Sequence, residues 1–224
     1  PLWSRGLGDV YKRQIPDSLD FDVAAPLLCA GITTYSPLAN WNVHEGQNVA
    51  VLGLGGLGHM GVQIAVAMGA NVTVLSRTTS KEAYAKELGA SRLLATSEPD
   101  FFTNHRGEFD FILNTISAPI DLRGYLGLLK PFGAMVLVGL PPEGLEISAR
   151  NLIAGDKALA GSNIGGIAQT QEMLDFCAEH GIGAKIEKIG VHDVDAAYDR
   201  VVAGDVRSRF VIDTAGFEDA ALEA

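Results

Sequence analysis

A doubly wound α/β fold with a parallel sheet is predicted by three observations on the sequence. Short, wholly apolar runs rich in β-branched residues recur along the chain, helical spacing follows most of them, and the connections are short and carry Gly. Strands apolar throughout suit a parallel sheet covered on both faces. Repeated βα units are what build such a sheet. The chain has 224 residues, 47% of them hydrophobic and 20% charged, enough to bury a sizeable core.

The elements follow in order. PLWSRGLGDVYKRQ (1–14) has no clean period, lacks an initial Met and stops where a conventional pattern begins at Ile15. It resembles translated sequencing-adapter sequence and is read as a foreign leader, so its Gly-Leu-Gly is not taken as a nucleotide loop. Residues 22–40 carry Ala, Leu and Ile at helical spacing after Asp20, a candidate N-cap. Gly31 and Pro37 predict two short helices there. NVAVLG (48–53) is a strand, followed by a Gly-rich turn and a helix through Met68 that Gly69 closes. NVTVLS (71–76), Arg92–Ala95, FDFILNT (109–115), AMVLVGL (134–140) and ALAGSN (158–163) read as further strands. Helices are expected over 80–90, 121–130 and 170–181. The tail breaks this rhythm: strand-like 184–190, a helix over 193–203 and RFVID (209–213) read as edges of a second domain that is mostly absent.

Charge excludes one class of partner. Seventeen Lys and Arg against 27 Asp and Glu leave a formal charge of −10, whereas a general nucleic-acid binder needs a basic face. No apolar run approaches the roughly 20 residues that span a bilayer. Two distant cysteines, Cys29 and Cys177, form no disulfide framework and point to a reducing cytoplasm.

VLGLGGLGHMG (51–61) places Gly53, Gly55 and Gly58 in the G-x-G-x-x-G pattern, with Gly56 as a fourth glycine. The pattern alone is weak. Here a strand precedes it, a helix follows, and a second strand comes about twenty residues on, the context of a dinucleotide loop. At the end of that second strand an NAD site places an acid on the ribose hydroxyls. This chain instead reads SRTTSK (76–81), with Ser76, Arg77 and Lys81 and no acid, which suits a 2′-phosphate and hence NADP over NAD.

The run IPDSLDF, AAPLLCAGITTYSPL, VLGLGGLGHMG, GSNIGG, QEMLDFCAEHG and RFVID, in this order, resembles the zinc-dependent medium-chain alcohol dehydrogenases. Within them it is similar to the NADP-dependent branch of cinnamyl alcohol dehydrogenases and broad-range bacterial aldehyde reductases, over Ile15 to about Thr214. The resemblance implies a Rossmann domain over 31–184. It also implies remnants of a GroES-like catalytic domain, with its end and hinge at 15–30 and a return segment at 185–224. It makes Cys29 the last protein ligand of a catalytic zinc and puts Thr33 beside the nicotinamide. The pyrophosphate loop falls on Gly53, Leu54, Gly55, Gly56, Leu57 and Gly58, and the 2′-phosphate contacts on Ser76, Arg77 and Lys81. The nicotinamide side falls on Thr115, Gly139, Ser162, Asn163 and Ile164. Arg77 departs from the Ser or Thr that relatives often carry there.

The implied activity is hydride transfer between NADP(H) and a primary alcohol or aldehyde, with zinc as Lewis acid, in a homodimer. A catalytic zinc needs three protein ligands and this sequence shows one, with no four-cysteine structural lobe. The chain is therefore expected to be N-terminally truncated and inactive alone. Cys177 reads as core, and His59 as a surface residue or a neighbour of the phosphates. His44, His105, His180 and His192 read as solvated, and Asp110, Asp193 and Asp195 as turn or cap residues. The alternatives are a zinc-free quinone or enoyl reductase of the same superfamily, against which Cys29 speaks, and a stand-alone dinucleotide-binding module, against which the tail speaks.

Overall fold

The computed structural model describes residues 14–206 and 208–216; nearly all of the expected leader lies outside them. Six parallel strands form the main sheet: β1 (Asn48–Leu52), β2 (Asn71–Ser76), β3 (Arg92–Ala95), β4 (Phe109–Asn114), β5 (Leu129–Leu137) and β6 (Ala158–Gly161). Their order is β3-β2-β1-β4-β5-β6, so the chain builds outward from β1 on one side and then crosses to build outward on the other. The crevice where the order reverses, at the carboxyl ends of β1 and β4, is where doubly wound sheets bind ligands.

Alternation along the strands supplies both faces. Val49, Val51, Val72, Val74, Phe111, Leu113, Ala134 and Val136 pack in one buried cluster, while Ala50, Leu52, Leu75, Ile112 and Met135 pack in the other. The first is covered by α2 (Ala30–Asn40), α3 (Gly58–Ala67), α4 (Glu82–Glu87) and α8 (Ile167–Glu179). The second is covered by α5 (Phe101–Asn104) and α6 (Leu122–Gly127), through Phe101, Leu122, Tyr125 and Leu126. Apolar runs were thus read correctly as strands buried on both sides. Cys177 lies fully buried in the first cluster, as expected.

Several expectations need correction. The helical region 22–40 breaks elsewhere: α1 (Phe21–Ala24) runs into a 3-10 turn (Ala25–Leu28), and α2 then continues through Gly31 and Pro37. The break sits at Cys29, whose φ of −125° and ψ of −74° leave the helix geometry. Pro37 is buried and tolerated because its fixed φ is helical, only one backbone bond being forfeited. Asp20 stands at the N-cap of α1 but makes no side-chain cap bond. Asp110 is a strand residue, not a turn residue: its carboxylate accepts from the Asn48 backbone amide at 2.8 Å and from Lys130 at 2.7 Å, tying β1 and β5 to β4. His105 is half-buried and bonded to Glu108 at 2.7 Å, whereas His44, His180 and His192 are exposed. The short helices α5 and α7 (Arg150–Ile153) were not anticipated.

In the tail, β7 (Ile186–Ile189), α9 (Val194–Val202) and β8 (Arg209–Ile212) form a separate unit whose two strands pair in parallel with each other and not with the main sheet. Asp193 accepts from the Gly190 amide at 3.0 Å and caps the turn before α9, and Asp195 lies in that helix's first turn.

Candidate functional site

The strand register gathers the predicted site residues. Leu75, Leu52, Asn114, Leu137 and Gly161 are aligned across β2, β1, β4, β5 and β6. One step further toward the carboxyl ends come Ser76, Gly53, Thr115 and Ser162, with Gly139 just beyond β5. A motif scattered over about 110 residues therefore forms one row along the top of the sheet.

Glycine is required at two places, one in the loop and one in this row. A Cβ on Gly58 would collide with the Gly53 carbonyl oxygen, because the loop closes on itself where α3 begins. A Cβ on Gly139 would likewise collide with the Ile116 carbonyl. Gly55, in contrast, has open space where a side chain would be, the room a ligand's phosphates need. Around the loop, the Thr115 hydroxyl donates to the Leu52 carbonyl at 2.9 Å, and buried Asn114 receives the amides of Val138 and Gly139 on its backbone carbonyl.

Lys81 stands in a 3-10 turn (Thr79–Lys81) ahead of α4, and its ammonium donates to the Leu54 carbonyl at 2.9 Å. The cation that sequence reasoning assigned to a 2′-phosphate thus hangs over the glycine loop. Ser76 ends β2, and Arg77 is exposed beside it, its carbonyl bonded to Ser97 at 2.6 Å. Ser162, Asn163 and Ile164 follow β6 in a loop held by the Ser162 amide to Leu137 at 3.0 Å, and Ile164 is exposed.

Arg209 escaped the sequence reading. It lies about 150 positions from the glycine loop, and an Arg opening RFVID has no local signal. In the fold its guanidinium lies against Gly56, and its Nε is buried with no hydrogen-bond partner among the described residues. Together with Gly56, Leu57 and Thr115 it lines a cavity of about 490 Å³. A buried N–H left without a partner is costly unless an acceptor completes it. Its position over a loop of backbone amides fits a pyrophosphate. The orphaned Arg209 Nε and the Cβ-free cradle at Gly55 are the two observations that a dinucleotide would satisfy.

His59, expected at the surface or as a neighbour of the phosphates, is fully buried against the glycine loop. Its Nδ1 bonds the Gly55 carbonyl at 3.2 Å and its Nε2 receives the Lys185 amide at 3.3 Å. Since a carbonyl only accepts and an amide only donates, the ring is neutral with its proton on Nδ1. Burial, and then the Arg209 and Lys185 charges, outweigh the backbone bonds and hold its pKa down at about 4. In the unfolded chain it titrates near 6.5, so the unfolded state binds the proton first and stability falls as pH drops from about 6.5 toward 4. A loss of about 2–3 kcal/mol is expected between pH 7 and 4.5 in urea melts. The His59→Gln variant should lose that much less over the same range.

Cys29 is exposed at the junction of the 3-10 turn and α2, with the Thr33 amide on its carbonyl at 3.0 Å. It lines a cavity of about 370 Å³ with Pro26, Arg209 and Phe210. Among the described residues no group of three or more His, Cys, Asp and Glu side chains comes together for a metal. Three protein ligands are the rule for catalytic zinc, so the described residues do not by themselves fit the ion. The two thiols differ sharply: burial pushes Cys177 up to about 12 while Cys29 faces solvent. A thiol reagent at pH 8 is expected to label one cysteine per native chain, and Cys29→Ser to abolish the labelling.

Fold and site together define a doubly wound α/β unit with a glycine-rich crossover loop and cations gathered on it. A profile of the zinc-binding dehydrogenases matches residues 56–179, and the chain belongs to that family. It is 58% identical over 205 residues to NADP-dependent alcohol dehydrogenase C 1 of Mycolicibacterium smegmatis, covering 92% of this chain and 59% of that protein. It is 50% identical to aldehyde reductase YahK of Escherichia coli, covering 87% of this chain and 56% of that protein. Among solved structures, a cinnamyl alcohol dehydrogenase from Sorghum bicolor superposes with a TM-score of 0.88 at 44% identity, covering 91% of this chain and 58% of that one. CAD from Helicobacter pylori, crystallised with NADP(H), gives 0.79 at 40% identity, covering 89% of this chain and 56% of that one. The chain thus spans less than two thirds of the length of these relatives. No helix among the described residues is long and apolar enough to cross a membrane.

Proposed function

We propose that this chain is the coenzyme-binding part of an NADP(H)-dependent alcohol dehydrogenase acting on primary alcohols and aldehydes, with residues 31–184 holding the dinucleotide. Residues 15–30 and 185–224 belong to the neighbouring catalytic domain. The observation that carries the reading is the row of Ser76, Gly53, Thr115 and Ser162 at the carboxyl ends of β2, β1, β4 and β6, with Lys81 and Arg209 over its centre. Names of the relatives, NADP-dependent alcohol dehydrogenase and aldehyde reductase, point the same way.

In this reading the amides of Leu54 to Gly58, at the entrance to α3, face the pyrophosphate, the Gly53 amide being taken by the Leu75 carbonyl, and Arg209 supplies the opposing cation. Lys81, Ser76 and Arg77 hold the 2′-phosphate. Thr115, Gly139, Ser162, Asn163, Ile164 and Thr33 border the nicotinamide end. Gly139 lets the backbone come close there. When bound, NADP(H) supplies or accepts the hydride exchanged with the substrate carbon. Cys29 contributes one thiolate toward a zinc site and is insufficient alone.

Arg209→Gln tests the pyrophosphate assignment. The variant is expected to weaken NADPH and NADH alike by roughly 10-fold or more, one charge-assisted contact being lost in both. Unchanged affinity in fluorescence titrations would remove Arg209 from the site.

A further inference from the structure

At the other end of the sheet the chain gathers positive charge that meets no carboxylate among the described residues. A cavity of about 580 Å³ is lined by Arg106, Arg123, Arg150 and Lys157, with Ser148 and Asn151 beside them and no Asp or Glu in its wall. In a chain of net charge −10 this is unexpected. Elsewhere Lys86, Arg92, Lys130, Lys185, Lys188 and Arg200 each have a carboxylate within 4.0 Å. Arg106, Arg123 and Arg150 have none among the described residues. Glu108, two positions from Arg106, is already engaged by Arg92 and His105.

The group is held in place by backbone. The Gly107 and Glu108 amides donate to the carbonyls of Gly127 and Leu128, fixing the Arg106 turn against the end of α6. Lys157 donates to the Leu126 carbonyl at 2.6 Å, leaving two of its three protons for another acceptor. Burial and the Arg106 charge both depress its basicity, as expected for cations crowded together.

The position separates this cavity from the coenzyme crevice. Arg106 precedes β4 and Lys157 precedes β6, so the cavity opens by the amino ends of strands whose carboxyl ends carry Thr115 and Ser162. Six-residue β4 puts ~20 Å between those ends. Three guanidinium forks and an ammonium around a small cavity match the oxygens of a multiply charged phosphate compound. We propose that this cavity is a second anion site, taking a small phosphate-bearing anion and distinct from the site for the dinucleotide.

Pyrophosphate is the probe. To silence the glycine loop, which would also take it, titrations start from a Lys81→Gln/Arg209→Gln background. Calorimetry is expected to show one pyrophosphate per chain with Kd below ~1 mM. Adding Arg123→Gln and Arg150→Gln, both exposed positions, should weaken it at least ~10-fold with an unchanged far-ultraviolet circular dichroism spectrum. Absence of saturable binding in the background variant would overturn the proposal. So would binding indifferent to Arg123 and Arg150. If these substitutions altered only self-association in sedimentation runs, the cations would belong to a contact between copies, and the anion site would be refuted.

Discussion

Gly58→Ala is expected to lower NADPH affinity by at least ~100-fold and to destabilise the fold as well. The added methyl meets the Gly53 carbonyl, which is backbone and has no rotamer to yield. Relief requires the loop to open at the entrance to α3, and the amides that face the pyrophosphate then lose their common focus. Two charge-assisted bonds at about 1.5–3 kcal/mol each account for the magnitude. Gly55→Ala is the matched control, since beyond its chain neighbours no atom of the described residues lies within 4 Å of its added methyl. Its melting temperature should stay near that of the parent while its NADPH affinity falls, because the space the methyl enters belongs to the ligand. Equal stability losses in both variants would mean that the loop glycines serve folding alone.

Lys81→Gln is expected to weaken NADPH by roughly 10–100-fold and NADH by less than ~2-fold. Among the described residues the Lys81 ammonium bonds one carbonyl, at Leu54, and meets no carboxylate. Ser76→Asp should act in the opposite sense, placing an acceptor for ribose hydroxyls and a repulsive charge where the 2′-phosphate would sit. A parallel fall for both coenzymes in Lys81→Gln would reassign Lys81 to the pyrophosphate or to loop support.

Much of the fold was legible because its signals are local. Val49, Val51, Ala50 and Leu52 read as one apolar run, and a strand buried on both faces demands that. Gly53, Gly55 and Gly58 carried their meaning through the strand before and the helix after. What stayed hidden depends on distant parts of the chain. Arg209 meets Gly56 only when the β7–β8 unit folds back onto the loop. His59 read as a surface residue or a neighbour of the phosphates, and the Lys185 amide that closes on its ring comes from 126 positions away. Asp110 looked like a turn residue because its two partners, Asn48 and Lys130, lie on neighbouring strands. Helix α2 shows the limit of local punctuation: Gly31 and Pro37 both suggested a break, and packing against α3 and α8 carried the helix through. The row of site residues at the strand ends was predicted residue by residue from a resemblance. Its alignment became visible only through the strand register.

Fluorescence titration of the chain with NADPH and with NADH, at one pH and one salt concentration, tests the coenzyme assignment most directly. NADPH is expected to bind at least ~10-fold more tightly than NADH, the worth of a charge-assisted contact to the 2′-phosphate. Equal or tighter binding of NADH would contradict the assignment of Ser76, Arg77 and Lys81.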